Sequence, residues 1–161
     1  MTTATLANPL QALRVVVATM AGAATLMLLV GAFSNGLGEP SEPVWLGIQL
    51  VAILGCAAAA LTIGFRVPAL DPAAPDVDKR AMAAMQTSTM LRTALSEAPA
   101  IIGLALSFVA ASGQVALLGL LAIPVMLWVS WPSRANVSRV ERGLDARGAR
   151  SGLSRRLDGS G

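Results

Sequence analysis

The chain has 161 residues, 55% of them hydrophobic and 13% charged, with a net charge of +3. The apolar share is above the roughly 45–50% of soluble domains, and the charged share is about half of theirs. With no His, no Tyr and a single Cys, the composition excludes Ser–His and Cys–His catalysis, imidazole-held zinc or haem, and an intramolecular disulfide.

A bilayer core needs about 20 consecutive apolar residues in a helix. The first such stretch is 15–33, between Arg14 and the turn Ser34-Asn35-Gly36. No basic cluster precedes it, and it is longer than a signal-peptide core, so a retained helix is expected. A short loop follows, with Gly36, Gly38, Pro40 and Pro43, and with Glu39 and Glu42 as its only charges. The second stretch is 44–65, closed by Arg66; Cys56 within it reads as a small packing residue. Next comes Val67-Pro68-Ala69-Leu70-Asp71-Pro72-Ala73-Ala74-Pro75. Three prolines forbid a helix there and predict an extended linker. Asp71, Asp76 and Asp78 match no calcium-loop spacing, so solvated turn carboxylates and no metal site are expected. The third stretch is about 93–111, ended by Ser112-Gly113; the fourth is 115–131, ended by Pro132.

Charge placement orients these spans. The twelve Lys and Arg are Arg14, then Arg66, Lys79, Arg80 and Arg92, then seven Arg after the fourth span. The other two loops carry no basic residue. The positive-inside bias therefore predicts cytoplasmic N- and C-termini, and Trp45, Trp128 and Trp131 fall at span ends, where indoles favour the headgroup zone. The expectation is an all-α protein: 1–132 forms four transmembrane helices in two antiparallel hairpins, and 133–161 is a basic cytoplasmic tail. The Arg-over-Lys bias and abundant Ala suggest a bacterial source, hence the cytoplasmic (inner) membrane.

Small residues recur at helical spacing. Span one offers Ala18, Gly22 and Thr25; span two Gly55, Ala58, Ala59 and Thr62, with Gly47 further out; span three Thr93, Ser96, Ala100, Gly103 and Ser107. Lipid-embedded helices associate through such surfaces, and a compact bundle interface is the expected use. Pro99 and Pro124 each deprive a carbonyl, of Leu95 and of Leu120, of its helical donor. Gln49 is a candidate donor to one of them.

Glu97 is the one acidic residue within a span. Intramembrane ionisable groups are costly and usually functional. It lies about 7–8 Å along the helix from Arg92. It is shallow if Arg92 marks the interface, and deep if the helix begins near Arg80. Three uses stay open: structural pairing with Arg92 or a neighbouring hydroxyl, proton or sodium binding supported by Thr93, Ser96 and Pro99, and contact with a substrate or partner.

The stretch Thr93-Ala94-Leu95-Ser96-Glu97-Ala98-Pro99-Ala100-Ile101-Ile102-Gly103-Leu104 resembles the carboxylate-bearing helix of the rotary ATPase proteolipid, the c subunit. That resemblance implies that Glu97 is the proton or sodium carboxylate. The chain as a whole resembles small four-helix bacterial inner-membrane proteins.

The tail carries seven Arg against Glu141, Asp145 and Asp158. Ser133 is placed to cap a helix beginning after Pro132. Val137, Val140 and Leu144 form a thin apolar stripe, with Arg134, Arg139, Arg142 and Arg147 around it. Such a helix suits an anionic lipid surface, and the last residues, rich in Gly and Ser, are expected to be disordered. No aromatics are present to stack bases, so nucleic acid is not an expected partner. With no cofactor motif and no second carboxylate to work with Glu97, the expectation is not an enzyme. The reading is an accessory or structural membrane subunit that meets a membrane-protein partner or a second copy through helix contacts. The alternative is a proton- or sodium-handling protein using Glu97.

Overall fold

The computed structural model describes residues 9–37, 41–74 and 76–158, with 156–158 as backbone alone. Gly38, Glu39, Pro40 and Pro75, and the expected terminal disorder at 159–161, lie outside the described residues. The described residues are helical, with no strand among them: α1 Pro9–Asn35, α2 Pro43–Thr62, α3 Val77–Val109, α4 Gly113–Gly119, α5 Ala122–Ser130, α6 Arg134–Leu144 and α7 Leu153–Asp158. Four helical segments are long and apolar enough to cross a membrane: α1, α2, α3, and α4 with α5 taken together.

Local chemistry sets the boundaries. Pro43 opens α2, where a missing N–H costs nothing. The Ser112 side chain accepts from the Gln114 N–H at the start of α4. The Ser133 side chain accepts from the Asn136 N–H at the start of α6, at the position expected for its cap. α3 ends as helices often do when one residue turns left-handed. Ala111 has φ 48°, and the Ser112 N–H reaches back to the Ser107 carbonyl at 3.0 Å.

The fourth span is broken in its middle. Pro124 cannot donate to Leu120. The chain responds by tightening, and the Leu120 carbonyl accepts from the Ile123 N–H at 3.0 Å instead. That repair splits the span into α4 and α5 at Leu120 and Leu121.

Helix α3 is much longer than its apolar run. It begins at Val77, 16 residues before the expected start at Thr93. Its first turns project past α2 and pack Ala81 and Met85 against Leu10 and Leu13 of α1, Val137, Val140 and Leu144 of α6, and Leu153 of α7. The Leu70 N–H donates to the Leu144 carbonyl at 2.8 Å, which ties the proline-rich linker to the same unit. The apolar stripe of the tail is therefore buried in a core and is not presented to a lipid surface, while the arginines of α6 face outward. A second cluster, Ala24, Leu28, Ala32, Ala100 and Ala116, joins α1, α3 and α4.

Two ends can be told apart by their contacts. At the end without basic residues, the Gly113 N–H donates to the Gly36 carbonyl at 2.8 Å and the Ser41 N–H to Gln114 Oε1 at 3.2 Å. Ser41 and Ser112 share a hydroxyl hydrogen bond there. At the basic end, Arg92 of α3 meets both Gly64, just after α2, and Val129 at the close of α5.

Candidate functional site

Glu97 lies at the edge of the buried face of α3. It is half-buried and lines a cleft between α1 and α3 with Ala24, Met27, Ala100, Ile101 and Leu104. The void is small, about 20 Å³, which holds about one water. Among the described residues, the Glu97 side chain makes no hydrogen bond and no ion pair. Its depth is decided by where the neighbouring helices end, and not by where α3 starts. Arg92 stands level with the ends of α2 and α5. Glu97 is thus about one and a half turns inside the bundle, while Val109 is a further 18 Å or so along the axis.

The expected supporting residues do not converge on the carboxylate. The Thr93 hydroxyl is bonded to the Thr89 carbonyl of its own helix at 2.8 Å. The Ser96 hydroxyl is buried and has no partner among the described residues. The Pro99 carbonyl accepts from Gln49 Nε2 at 2.8 Å. Gln49 therefore serves the carbonyl of the proline itself and not one freed by it. Gly103 makes that possible, because a Cβ there would come within 2.8 Å of Gln49 Nε2. Pairing of Glu97 with Arg92 does not occur either. Five residues apart, they project about 140° from each other around the helix.

Arg92 is the residue whose role the charge pattern conceals. It is 0% exposed. Its Nε donates to the Ser88 carbonyl at 3.1 Å, one terminal nitrogen to the Val129 carbonyl at 2.9 Å, and the other to the Thr89 hydroxyl at 3.2 Å. The guanidinium stacks on Phe65, 4.2 Å from the ring centroid. No carboxylate faces it among the described residues. The compensation comes from dipoles. α2 and α5 both end beside it, and helix C-termini carry a partial negative charge that favours a cation. Neighbours complete the seal: Ser88 Oγ donates to the Gly64 carbonyl at 2.7 Å, and Asn136 Nδ2 donates to the carbonyls of Val129 and Trp131 at 3.1 and 2.8 Å. One signal in the sequence marked this cluster. Ser88, Thr89 and Arg92 repeat at three- and four-residue spacing on the face that later carries Ser96 and Gly103.

The small residues divide into two groups. Ala100, Gly103 and Ser107 are buried inside the bundle. Gly22 and Gly55 face away from it, as do Ala18, Gly47, Ala58 and Thr62. A Cβ built on Gly22, Gly47 or Gly55 would meet nothing within 4 Å. Of the tail arginines, Arg134, Arg142 and Arg147 are exposed, and Arg139 is exposed while its guanidinium covers Phe65 at 4.8 Å. No three His, Cys, Asp or Glu residues gather in a metal-holding group among the described residues.

Comparison with known proteins gives no significant match to a family model, a curated protein or a solved structure. The likeness of residues 93–104 to the proteolipid helix is therefore a local one.

Proposed function

We propose that this chain is a non-catalytic, multi-pass protein of the bacterial inner membrane that works through helix–helix contacts with another membrane protein or a second copy. Its four spans would form two antiparallel hairpins, with the basic end and both termini in the cytoplasm. One observation carries the reading: the small-residue faces of α1 and α2 point away from the bundle, with open space above Gly22 and Gly55. Lipid offers no hydrophobic drive for helices to associate, so close backbone approach is what selects partners there. Purification in mild detergent is expected to bring down a stoichiometric companion. A homogeneous, solitary monomer would count against the reading.

One observation favours the second reading, proton or sodium handling. Glu97 is an intramembrane carboxyl with no partner among the described residues, set in a cleft with room for about one water. A hydrophobic carbodiimide is then expected to modify Glu97 selectively, and sodium to protect it. Absence of labelling, or a Glu97→Gln variant with unchanged proton and sodium fluxes in vesicles, removes this idea.

A further inference from the structure

At the basic end, residues 66–68 and α3 enclose a groove of about 210 Å³, lined by Arg66, Val67 and Pro68 on one side and Thr87 and Leu91 on the other. It is smaller than the 300–1,000 Å³ or so of a pocket that engulfs a drug-sized ligand. Its composition is graded along α3. Thr87 is exposed beside Arg66, and one turn further toward the spans the groove ends on Leu91, 41% exposed. Ile63, just after α2, is a further exposed apolar side chain at this end, 50% exposed. The Arg66 side chain makes no hydrogen bond or ion pair among the described residues.

Two more cations stand next to this groove. Arg92 and Arg139 cover the same Phe65 ring at 4.2 and 4.8 Å. Their charges therefore lie within about one Debye length of each other. Helix α6 brings Arg139 here, and its Gly143 abuts Val67. Three guanidinium groups thus gather at residues 65–67; Arg92 is met by helix C-termini, and no carboxylate pairs with Arg66 or Arg139 among the described residues. Lys79 pairs with Asp76 at the far end of the linker. Arg66 and Arg139, with no carboxylate partner among the described residues and at the level where α2 leaves the apolar zone, leave positive charge for an external anion.

We infer that this groove holds the phosphate of an anionic glycerophospholipid. Arg66 and Thr87 donate to the phosphate oxygens, Arg139 supplies additional charge from α6, and the acyl chains leave over Leu91 and Ile63. A phosphate favours guanidinium partners because their planar donors match its oxygens. The graded lining selects an amphiphile over a soluble anion. The site is distinct from general attraction of the tail to a charged leaflet, since it uses Arg66, which lies outside the tail.

Native mass spectrometry of the detergent-solubilised chain, titrated with phosphatidylglycerol and with phosphatidylcholine, tests this. One retained phosphatidylglycerol is expected, in preference to phosphatidylcholine. Arg66→Gln with Arg139→Gln should weaken retention about thirty-fold, at roughly a fivefold loss per basic residue. Arg150→Gln with Arg155→Gln, an equal loss of charge at exposed positions of the tail, should leave retention unchanged. Arg66→Gln alone, at a side chain bonded to nothing among the described residues, should still weaken retention about fivefold if the double variant unfolds. Equal weakening by both pairs, equal retention of the two lipids, or displacement by millimolar glycerol phosphate would overturn the assignment.

Discussion

Arg92→Ala is expected to lower the melting temperature of the solubilised protein by about 10 °C. The substitution removes a fully buried side chain and leaves a cavity between α3 and the ends of α2 and α5. It also removes a donor from the Val129 carbonyl and a cation from two helix C-termini. A cavity of that kind and the lost hydrogen bonds together cost about 3 kcal/mol. In a protein of this size each kcal/mol shifts the midpoint by about 2–4 °C. Arg92→Met separates packing from charge. Methionine fills much of the space but gives no donor and no stacked cation, so an intermediate loss is expected. Arg92→Lys keeps the charge and loses the planar fork that serves Ser88, Thr89 and Val129 at once. Differential scanning fluorimetry in one detergent compares all three. A methionine variant as stable as the parent would mean that the guanidinium contributes nothing to the bundle.

Gly113→Ala is expected to be nearly as damaging, for a reason that involves no charge. A Cβ at position 113 would lie 2.2 Å from the Ala32 carbonyl oxygen and 2.6 Å from that of Gly36. Both obstacles are backbone, so no rotamer change relieves them. α1 and α4 must separate, and the hydrogen bond from the Gly113 N–H to the Gly36 carbonyl lengthens or breaks. Overpacking of this kind costs about 2–3 kcal/mol. Gly22→Ala and Gly55→Ala are the matched controls. Their Cβ atoms enter open space, and alanine favours a helix by up to about 1 kcal/mol. Unfolding in mixed micelles should therefore find Gly113→Ala destabilised and both controls at or above the parent. Equal behaviour of the three would contradict the close approach of α1 and α4.

The spans were legible because a bilayer imposes a length and charge rule that each apolar run obeys or breaks on its own. The cap at Ser133 and the carbonyl that Pro124 deprives of its donor were legible for the same reason: each is a local matter of a missing or supplied hydrogen bond. The start of α3 was not. Residues 77–92 carry Asp78, Lys79, Arg80 and Gln86, so a search for lipid-length apolar runs passes over them. Their helix is of the water-soluble kind, with Ala81 and Met85 on one face, and it is held by a core that α6 completes from the far end of the chain. Arg92 was misleading because a basic residue flanking an apolar run usually faces the headgroups. Here the ends of two other helices meet it first. Gly22 and Gly55 illustrate a different limit. A small residue says that a backbone can approach closely, but not whose backbone. Within the chain that choice fell on Gly103 and Gly113, which lie against Gln49 and α1. Glu97 was recognisable as the acidic residue of a span, but its lack of a partner depends on where Arg92, Thr93 and Ser96 turn in three dimensions.

The most direct measurement concerns the outward faces of α1 and α2. Gly22→Leu and Gly55→Leu fill open space and should leave the thermal midpoint of the isolated chain at or above that of the parent. Affinity purification from native membranes, with the companion quantified per chain, should then show its recovery reduced at least about ten-fold in the double variant, a loss near 1.4 kcal/mol of contact energy. Undiminished recovery in a variant that carries both leucines would contradict the account.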